Sequence, residues 1–147
     1  MIASPGCYPT SILLPLIPLL RSGLIESDTI VANSMSGVSG AGRKEAIPLL
    51  YAECNESVRA YGLPKHRHLS EIEQELSISA RSDVKITFVP HLVPITQGIC
   101  TTTTAKLSAR CTDVSQIDGV MQAVYRNQPF VRLLGHGGCP DTRHVRQ

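Results

Sequence analysis

Apolar residues recur at helical spacing in the second half of the chain and form a continuous run near its start. In the second half they lie three, four, seven and eight positions apart, which predicts an amphipathic helix that begins near Asp113 and Gln116. The apolar positions of this helix are Ile117, Val120, Met121, Val124 and Tyr125. Near the start, the apolar run predicts a helix over residues 11–20, which Pro15 is expected to kink or shorten. Cys7 lies directly before this first helix.

Two further helices are predicted between these. Residues 45–56 favour a helix, although Pro48 lies in its first turn. Ser70 followed by Glu73 matches a capping box, in which two side chains satisfy backbone N–H groups at a helix start. An apolar stripe begins at Ile72, so this second helix is the better marked of the two.

Four segments have the pattern of β-strands. Residues 29–35 predict a buried strand. Apolar residues alternate with polar ones over residues 84–88 and again over residues 99–107, which predicts two antiparallel strands. Residues 130–134 predict a last strand. The mixed order of strands and helices indicates an α+β or α/β two-layer fold, in which helices cover a sheet.

Composition narrows the classes of protein to consider. A chain of 147 residues fits one domain, long enough to bury a core. A net charge of +2 and an aromatic share of 4% without tryptophan argue against nucleic-acid binding. The longest apolar run, residues 12–20, is too short to span a bilayer. The sequence therefore predicts neither a nucleic-acid partner nor a membrane partner.

The cysteines indicate the redox compartment. Their number is odd, and they are scattered without a C-x-x-C pair, which argues for a reducing cytoplasm. They are Cys7, Cys54, Cys100, Cys111 and Cys139. Neither the cysteines nor the histidines have the spacing of metal ligands, so no metal site is predicted.

Cys7 is the strongest candidate for chemistry. It follows Pro5-Gly6 and precedes the first predicted helix. A helix N-terminus and a cationic neighbour lower the pKa of a thiol and favour the nucleophilic thiolate. Such a thiolate can form covalent acyl intermediates.

Two other segments carry candidate chemistry. Residues 36–44 form a glycine-rich loop after a strand, where unhindered N–H groups can surround an anion and small residues allow close approach of a ligand. His66 and His68 lie just before a predicted helix, and histidine titrates near neutral pH, as acid and base catalysis require.

Four motifs occur in a familiar order. They are Pro-Gly-Cys-Tyr-Pro-Thr from Pro5, Ser-Gly-Val-Ser-Gly-Ala-Gly-Arg from Ser36, His-Arg-His from His66 with Glu71-Ile72-Glu73, and Val-Pro-His-Leu from Val89. Together they resemble the N-acetyl-γ-glutamyl-phosphate reductase family of arginine biosynthesis. The resemblance covers residues 2–134. It implies the catalytic and dimerising domain of an NADP-dependent reductase, with a fold similar to the C-terminal domain of glyceraldehyde-phosphate and aspartate-semialdehyde dehydrogenases.

The resemblance implies specific roles for several residues. Cys7 would attack the acyl phosphate to give a thioester, which hydride from NADPH reduces to the semialdehyde. His66 matches the catalytic histidine, expected to deprotonate Cys7 and later to protonate the reacting oxygen, with His68 as the competing assignment. Residues near the cofactor or substrate would be Ser39, Gly40 and Gly42. Arg43 and Arg67 are candidates for the substrate phosphate or α-carboxylate, with a surface salt bridge as the alternative for each.

Two positions depart from the family pattern, of which Ser70 can still cap the helix while Gln97 removes a charge near a loop expected to face the substrate. Ser70 stands where proline is usual, and Gln97 stands where arginine is common. A related reductase that acts on aspartyl or aminoadipyl phosphate therefore stays open. A further alternative is a module without catalysis that only dimerises.

The extent of the chain leads to one more expectation. Cys7 lies six residues from the start, residues after Gly135 contain no closing element, and no strand-linked G-x-G-x-x-G occurs. We therefore expect residues 1–147 to be a single catalytic domain of a longer enzyme. A Rossmann domain that binds NADP would be a separate partner, and a C-terminal segment would follow. A homo-oligomer is also expected.

Overall fold

A computed structural model describes residues 1–145 as helices packed on one face of a four-stranded sheet. The α-helices are α1 (Cys7–Ser22), α2 (Tyr51–Cys54), α3 (Leu69–Ala80) and α4 (Ser115–Tyr125). The strands are β1 (Val31–Ser36), β2 (Arg59–Ala60), β3 (Thr87–Leu92) and β4 (Ile99–Thr104). Short 3-10 helices span Val38–Ala41, Ile47–Leu49 and Thr142–Val145. Among residues 1–145, no helix is long and apolar enough to cross a membrane.

The sheet has the order β2-β3-β1-β4 and is mixed. β1 pairs in parallel with β3 and antiparallel with β4, while β2 pairs antiparallel with β3. The predicted α+β class with a mixed, largely antiparallel sheet is therefore confirmed. The two strands predicted from alternation do run in opposite directions, but β1 lies between them. The alternating pattern predicted the relative direction of these two strands but not which strand each of them pairs with.

The core lies between α1, α3 and the inner face of the sheet. Ile12 of α1 and both Ile72 and Leu76 of α3 are completely buried. On β1 the alternation holds, because Ala32 and Ser34 face the helices while residues between them are exposed. These contacts fix the start of α1 relative to the start of α3.

α1 continues through both of its prolines for 16 residues, so the expected shortening at Pro15 is wrong. A proline inside a helix leaves the carbonyl four residues earlier without its usual donor. For Pro18 that carbonyl belongs to Leu14, and the Tyr125 hydroxyl of α4 donates to it at 2.7 Å. A tertiary contact thus replaces a missing helical bond. The helix ends at Gly23, whose φ of 67° suits glycine.

Three sequence predictions need correction. The helix predicted over residues 45–56 is divided into Ile47–Leu49 and α2, because Leu50 has an extended backbone with ψ of 148°. The strand predicted over residues 130–134 does not form, and Phe130 is 99% exposed. This segment pairs with no neighbouring strand and packs no face against the core, so its apolar residues do not form a strand.

The capping box at the start of α3 is also wrong. Ser70 lies inside α3, and the N-cap residue is His68. The Glu73 carboxylate instead accepts a hydrogen bond from Ile86 N–H at 3.4 Å and pairs with Lys85 at 3.6 Å. At α4, in contrast, the predicted starting signal is confirmed, since Asp113 Oδ1 accepts from Ser115 N–H at 2.9 Å.

Candidate active site

A cleft of about 540 Å³ opens at the N-terminus of α1. Its walls come from six parts of the chain: the α1 start, the end of β1 with the loop after it, the segment before α2, strand β2 with the residue after it, the turn before α3 and the end of β3. The lining residues are Cys7, Tyr8, Ser36, Gly37, Gly40, Ala41, Pro48, Leu49, Arg59, Tyr61, His66, Arg67, His68 and Leu92. Most of the lining surface is apolar, which leaves a small set of polar groups to determine what binds.

Cys7 is the first residue of α1 and is exposed to the cleft. The residue before it is fixed from two sides. Gly6 N–H donates to Glu71 Oε1 at 3.2 Å, and the Gly6 carbonyl accepts from Thr10 N–H at 3.1 Å. The partial positive charge of a helix N-terminus therefore acts at a thiol whose backbone is held in place.

Gly6 also allows α1 to approach the histidine pair. A Cβ atom at this position would lie 2.9 Å from His68 Nε2 and 2.9 Å from Pro9 Cδ. No other residue fits here without a shift of the ring. The motif glycine before Cys7 thus brings the nucleophile segment against His68.

His66 lies among aromatic rings with a defined proton position. Its ring packs edge-on against Tyr8, Tyr61 and Phe88, with centroid distances of 5.4, 5.5 and 5.7 Å. His66 Nδ1 accepts a hydrogen bond from the backbone N–H of His68 at 3.1 Å. An imidazole nitrogen that accepts carries no proton, so the proton of neutral His66 lies on Nε2.

Both histidines favour the neutral form. Burial lowers the pKa of His66, and the nearby charges of His68 and Arg67 lower it further. Burial likewise lowers the pKa of His68, as does Arg67, while Glu71 partly offsets these effects. His68 Nδ1 is buried without a partner among the described residues.

Two tyrosines form the inner wall behind His66. The hydroxyls of Tyr8 and Tyr61 hydrogen-bond to each other at 2.6 Å. Burial raises the pKa of both phenols, and in Tyr8 the hydrogen bond with Tyr61 raises it further. Both phenols therefore stay neutral at physiological pH and act as hydrogen-bonding groups only.

The glycine-rich loop is built differently from the sequence expectation. Backbone N–H groups expected to be unhindered already donate to carbonyls of the chain. Gly37 bonds to Gly98, Val38 to Ile95 and Ser39 to Thr96, while Gly40 and Gly42 bond within the loop itself. The N–H groups of these five residues are therefore not available to surround an anion. The loop offers open space at Gly42, since nothing lies within 4 Å of a Cβ position there.

The structure brings some of the predicted site residues together and separates others. Cys7, Gly40, His66 and Arg67 line the cleft. Ser39 and Gly42 line a neighbouring cavity of about 370 Å³, and Leu49 borders both spaces. Arg43 lines neither of them.

The sequence analysis missed Arg59 and Tyr61, which line the same cleft. They are two residues apart, on β2 and at its end, so an extended backbone directs both side chains to one side. That spacing was the available signal, but a two-residue strand is too short to be recognised from alternation. Among residues 1–145, no group of three histidine, cysteine or acidic residues is arranged to hold a metal ion.

A mixed sheet with a cysteine at a helix N-terminus, beside a histidine and an arginine, is the arrangement expected of the domain that supplies the nucleophile in a thiol-dependent dehydrogenase. The chain belongs to the family described as "semialdehyde dehydrogenase, dimerisation domain", whose model matches residues 7–147.

Curated relatives carry the name expected from the motifs. The chain is 58% identical over 145 residues to the N-acetyl-gamma-glutamyl-phosphate reductase of Akkermansia muciniphila and 49% identical over 145 residues to that of Moorella thermoacetica. Each match covers 99% of this chain and 42% of the relative. The chain thus spans less than half the length of these relatives. The resemblance inferred from the sequence is confirmed.

Solved structures agree on the fold. Aspartate semialdehyde dehydrogenase II from Vibrio cholerae matches with a TM-score of 0.61 at 14% identity, over 83% of this chain and 42% of that chain. A probable aspartate-semialdehyde dehydrogenase from Pseudomonas aeruginosa matches with a TM-score of 0.61 at 15% identity, over 85% of this chain and 43% of that chain. Aspartate semialdehyde dehydrogenase from Candida albicans, solved with NADP, has a TM-score of 0.55 at 15% identity, over 81% of this chain and 34% of that chain.

Proposed function

We propose that this chain is the catalytic and dimerising part of an NADPH-dependent reductase. The reductase converts N-acetyl-γ-glutamyl phosphate to the semialdehyde and phosphate, a step of arginine biosynthesis. The observation that carries the proposal is the cleft at the α1 N-terminus, which Cys7, His66 and Arg67 all line. The name shared by the curated relatives supports the choice of substrate.

Cys7 begins the reaction. Its thiolate sulfur attacks the acyl carbon, so a C–S bond forms and the C–O bond to phosphate breaks. Phosphate leaves with the bonding electron pair, and a thioester remains on Cys7. The α1 N-terminus stabilises negative charge at the sulfur before attack and at the carbonyl oxygen during it.

His66 stabilises the oxygen that becomes negative in the second half-reaction. NADPH, when bound, provides the hydride that reduces the thioester carbon. His66 Nε2–H donates a hydrogen bond to the oxygen on that carbon, in keeping with the proton position that the His68 N–H dictates. The oxygen then re-forms its double bond to carbon, the C–S bond breaks, and Cys7 leaves as thiolate with the bonding electron pair, so this step needs no net proton transfer. The lowered pKa of His66 keeps the ring neutral, so that Nδ1 accepts from the His68 N–H while Nε2–H donates.

The same proton position bears on the expected base role of His66. Nε2 already carries the proton of neutral His66, so a proton from Cys7 could be taken only at Nδ1, which would make the ring doubly protonated and break its bond to the His68 N–H. We therefore propose that His66 acts mainly as the hydrogen-bond donor to the reacting oxygen in the second half-reaction. The α1 N-terminus then carries most of the activation of Cys7.

The cofactor would meet the surface of the glycine-rich loop. Gly40 and Gly42 have no side chains that would keep a flat nicotinamide ring at a distance, and Ser39 lines the neighbouring cavity together with Gly42. The N–H groups of these three residues are engaged, which argues that the cofactor phosphates are held elsewhere. We assign that task to a separate Rossmann domain, in keeping with the 42% coverage of the relatives.

Arg67 is the stronger of the two predicted substrate arginines. It lines the cleft, whereas Arg43 does not. A guanidinium beside the reacting carbon would pair with the phosphate before it leaves. We leave Arg43 without a substrate role.

A second copy of the chain is the proposed partner for assembly. The family is described as a dimerisation domain.

The test is oxidation of N-acetylglutamate semialdehyde that requires both NADP and phosphate. The chain is mixed with a separately expressed Rossmann domain, and a Cys7→Ala variant is measured alongside. Activity confined to the mixture with intact Cys7 supports the proposal. If the assembled mixture is inactive on this substrate but active on aspartate semialdehyde, the chain belongs to a reductase of another acyl phosphate. If it is active on neither, the remaining interpretation is a module that only dimerises.

A further inference from the structure

Arg59 lines the same cleft as the proposed nucleophile. It lies on β2, the edge strand, and its side chain reaches the segment before α2, where its guanidinium donates to the Pro48 carbonyl. Arg59 and Arg67 are the two permanently charged side chains of the lining. No role follows for Arg59 from the reaction described above.

Neither guanidinium has a counter-charge from the part of the chain that the structure describes. Within residues 1–145, no carboxylate lies within 4.0 Å of Arg59 or of Arg67. Arg59 uses one of its five N–H donors on Pro48, and its surroundings include Leu49 and Leu92. A half-buried cation beside apolar walls is stabilised by an anion, most strongly by one that accepts two parallel hydrogen bonds.

The two arginines lie at different places relative to the reacting atoms. Arg67 lies between His66 and His68 in the turn before α3, whereas the Arg59 guanidinium reaches Pro48 in the segment before α2. The two cations therefore lie at different parts of the cleft, Arg67 beside the histidine pair and Arg59 beside the segment before α2. An acyl phosphate with a carboxylate at its other end presents two anions in this order.

We propose that Arg59 binds the distal carboxylate of the substrate, while Arg67 serves the anion next to the reacting carbon. Arg59 is thus a specificity-determining residue, because it selects acyl compounds that end in a carboxylate. The assignment rests on the proposed function for the identity of the substrate. The effect of the Arg59 charge on an anionic reagent does not depend on turnover, so it can be measured on the chain alone through the alkylation of Cys7.

The experiment uses two pairs of thiol reagents. Iodoacetate and iodoacetamide differ by a carboxylate adjacent to the reacting carbon. 3-Maleimidopropionate and N-ethylmaleimide differ by a carboxylate at the end of a short chain. For each pair, peptide mass spectrometry gives the ratio of the anionic to the neutral rate constant at Cys7. The exposed thiol of Cys139 provides an internal reference in the same sample.

Substitution of each arginine should change the rate ratio of a different pair of reagents. Arg59→Gln should lower the maleimide ratio at Cys7 about 5-fold, as expected for loss of one nearby charge in a hydrated cleft, and change the iodoacetate ratio less than 2-fold. Arg67→Gln should do the reverse. Arg43→Gln removes the same charge outside the cleft and should change neither ratio. Added salt should reduce both wild-type ratios.

Further variants distinguish charge from structure. Arg59→Lys keeps a cation and should keep the maleimide ratio within about 2-fold of wild type. A fall in the N-ethylmaleimide rate equal to the fall in the 3-maleimidopropionate rate would mean that Arg59 only supports the cleft, and would overturn the proposal. So would a wild-type maleimide ratio at Cys7 no higher than at Cys139, which needs no variant to fold. Failure of the reductase assay would leave these ratios unaffected, so the two proposals fail separately.

Discussion

Gly37→Ala is the substitution whose cost the structure determines most directly. The loop after β1 and residues 95–98 approach each other at Gly37 so closely that a Cβ atom would lie 2.8 Å from Gln97 N, 2.9 Å from Gln97 Cα and 2.9 Å from Ile95 O. All three are backbone atoms, so no side chain can rotate away. Gly37 has φ of −70° and ψ of 163°, which any residue adopts, so the cost is steric alone.

The magnitude follows from what separation of the loops would weaken. Three backbone hydrogen bonds join them: Gly37 to Gly98 at 2.9 Å, Val38 to Ile95 at 3.0 Å and Ser39 to Thr96 at 2.9 Å. At about 1 kcal/mol each, their loss would cost about 3 kcal/mol. Alanine reduces the entropy of the unfolded chain and returns about 0.5–1 kcal/mol. The free energy of unfolding should fall by about 2 kcal/mol, and Tm by about 6 °C.

Thermal unfolding followed by circular dichroism measures this change. Gly119→Ala is the matched control, because Gly119 lies inside α4 and has nothing within 4 Å of a Cβ position. Alanine should raise stability there by up to about 1 kcal/mol, since it is the better helix former. The two substitutions should therefore shift Tm in opposite directions. A Gly37→Ala protein as stable as wild type would refute the close packing of the two loops.

Two further predictions concern the core and acid stability. Leu76→Ala should lower the free energy of unfolding, measured in urea, by about 2–5 kcal/mol, because Leu76 is completely buried between helices and sheet. Ile78→Ala, on the exposed side of α3, should lower it by about 0.5 kcal/mol or less. Equal losses would contradict the assignment of the buried face of α3. Because the pKa values of His66 and His68 are lowered in the folded chain, the unfolded chain binds protons first as pH falls below about 6.5. Tm should therefore fall between about pH 7 and pH 5, and it should fall less in His66→Gln. A Tm that rises in acid would contradict the directions of these pKa shifts.

The sequence predicted those parts of the fold in which local pattern and tertiary structure agree. α1, α3 and β1 were located because an apolar face or run in each meets the same core. α4 was located from its periodicity, although none of its residues is buried. β2 and the division of residues 45–56 were not, since they depend on contacts with β3 and on the backbone of Leu50. Likewise, the order of strands depends on which neighbour β1 receives on each side. Sequence periodicity contains no information on that choice.

The candidate site divides in the same way. Motifs pointed to Cys7 and His66 as candidates, because thiolate chemistry and proton transfer can be inferred from residue type and local context. The engagement of the loop N–H groups by residues 95–98 could not be foreseen, since it arises from two segments far apart in sequence. Arg59 reaches the cleft only because β2 pairs with the edge of β3. Residues that gain a role through tertiary placement are the ones that motif reasoning misses.

The central claim is that Cys7 forms the thioester, and acylation of the chain by N-acetyl-γ-glutamyl phosphate tests it most directly. This half-reaction requires the nucleophile and the substrate but no cofactor. The chain is mixed with the acyl phosphate, quenched in acid, digested and examined by mass spectrometry, with Cys7→Ser as the control. The account predicts an N-acetylglutamyl adduct on the Cys7 peptide, together with release of an equal amount of phosphate. An adduct no more frequent on Cys7 than on the exposed Cys139 would contradict it.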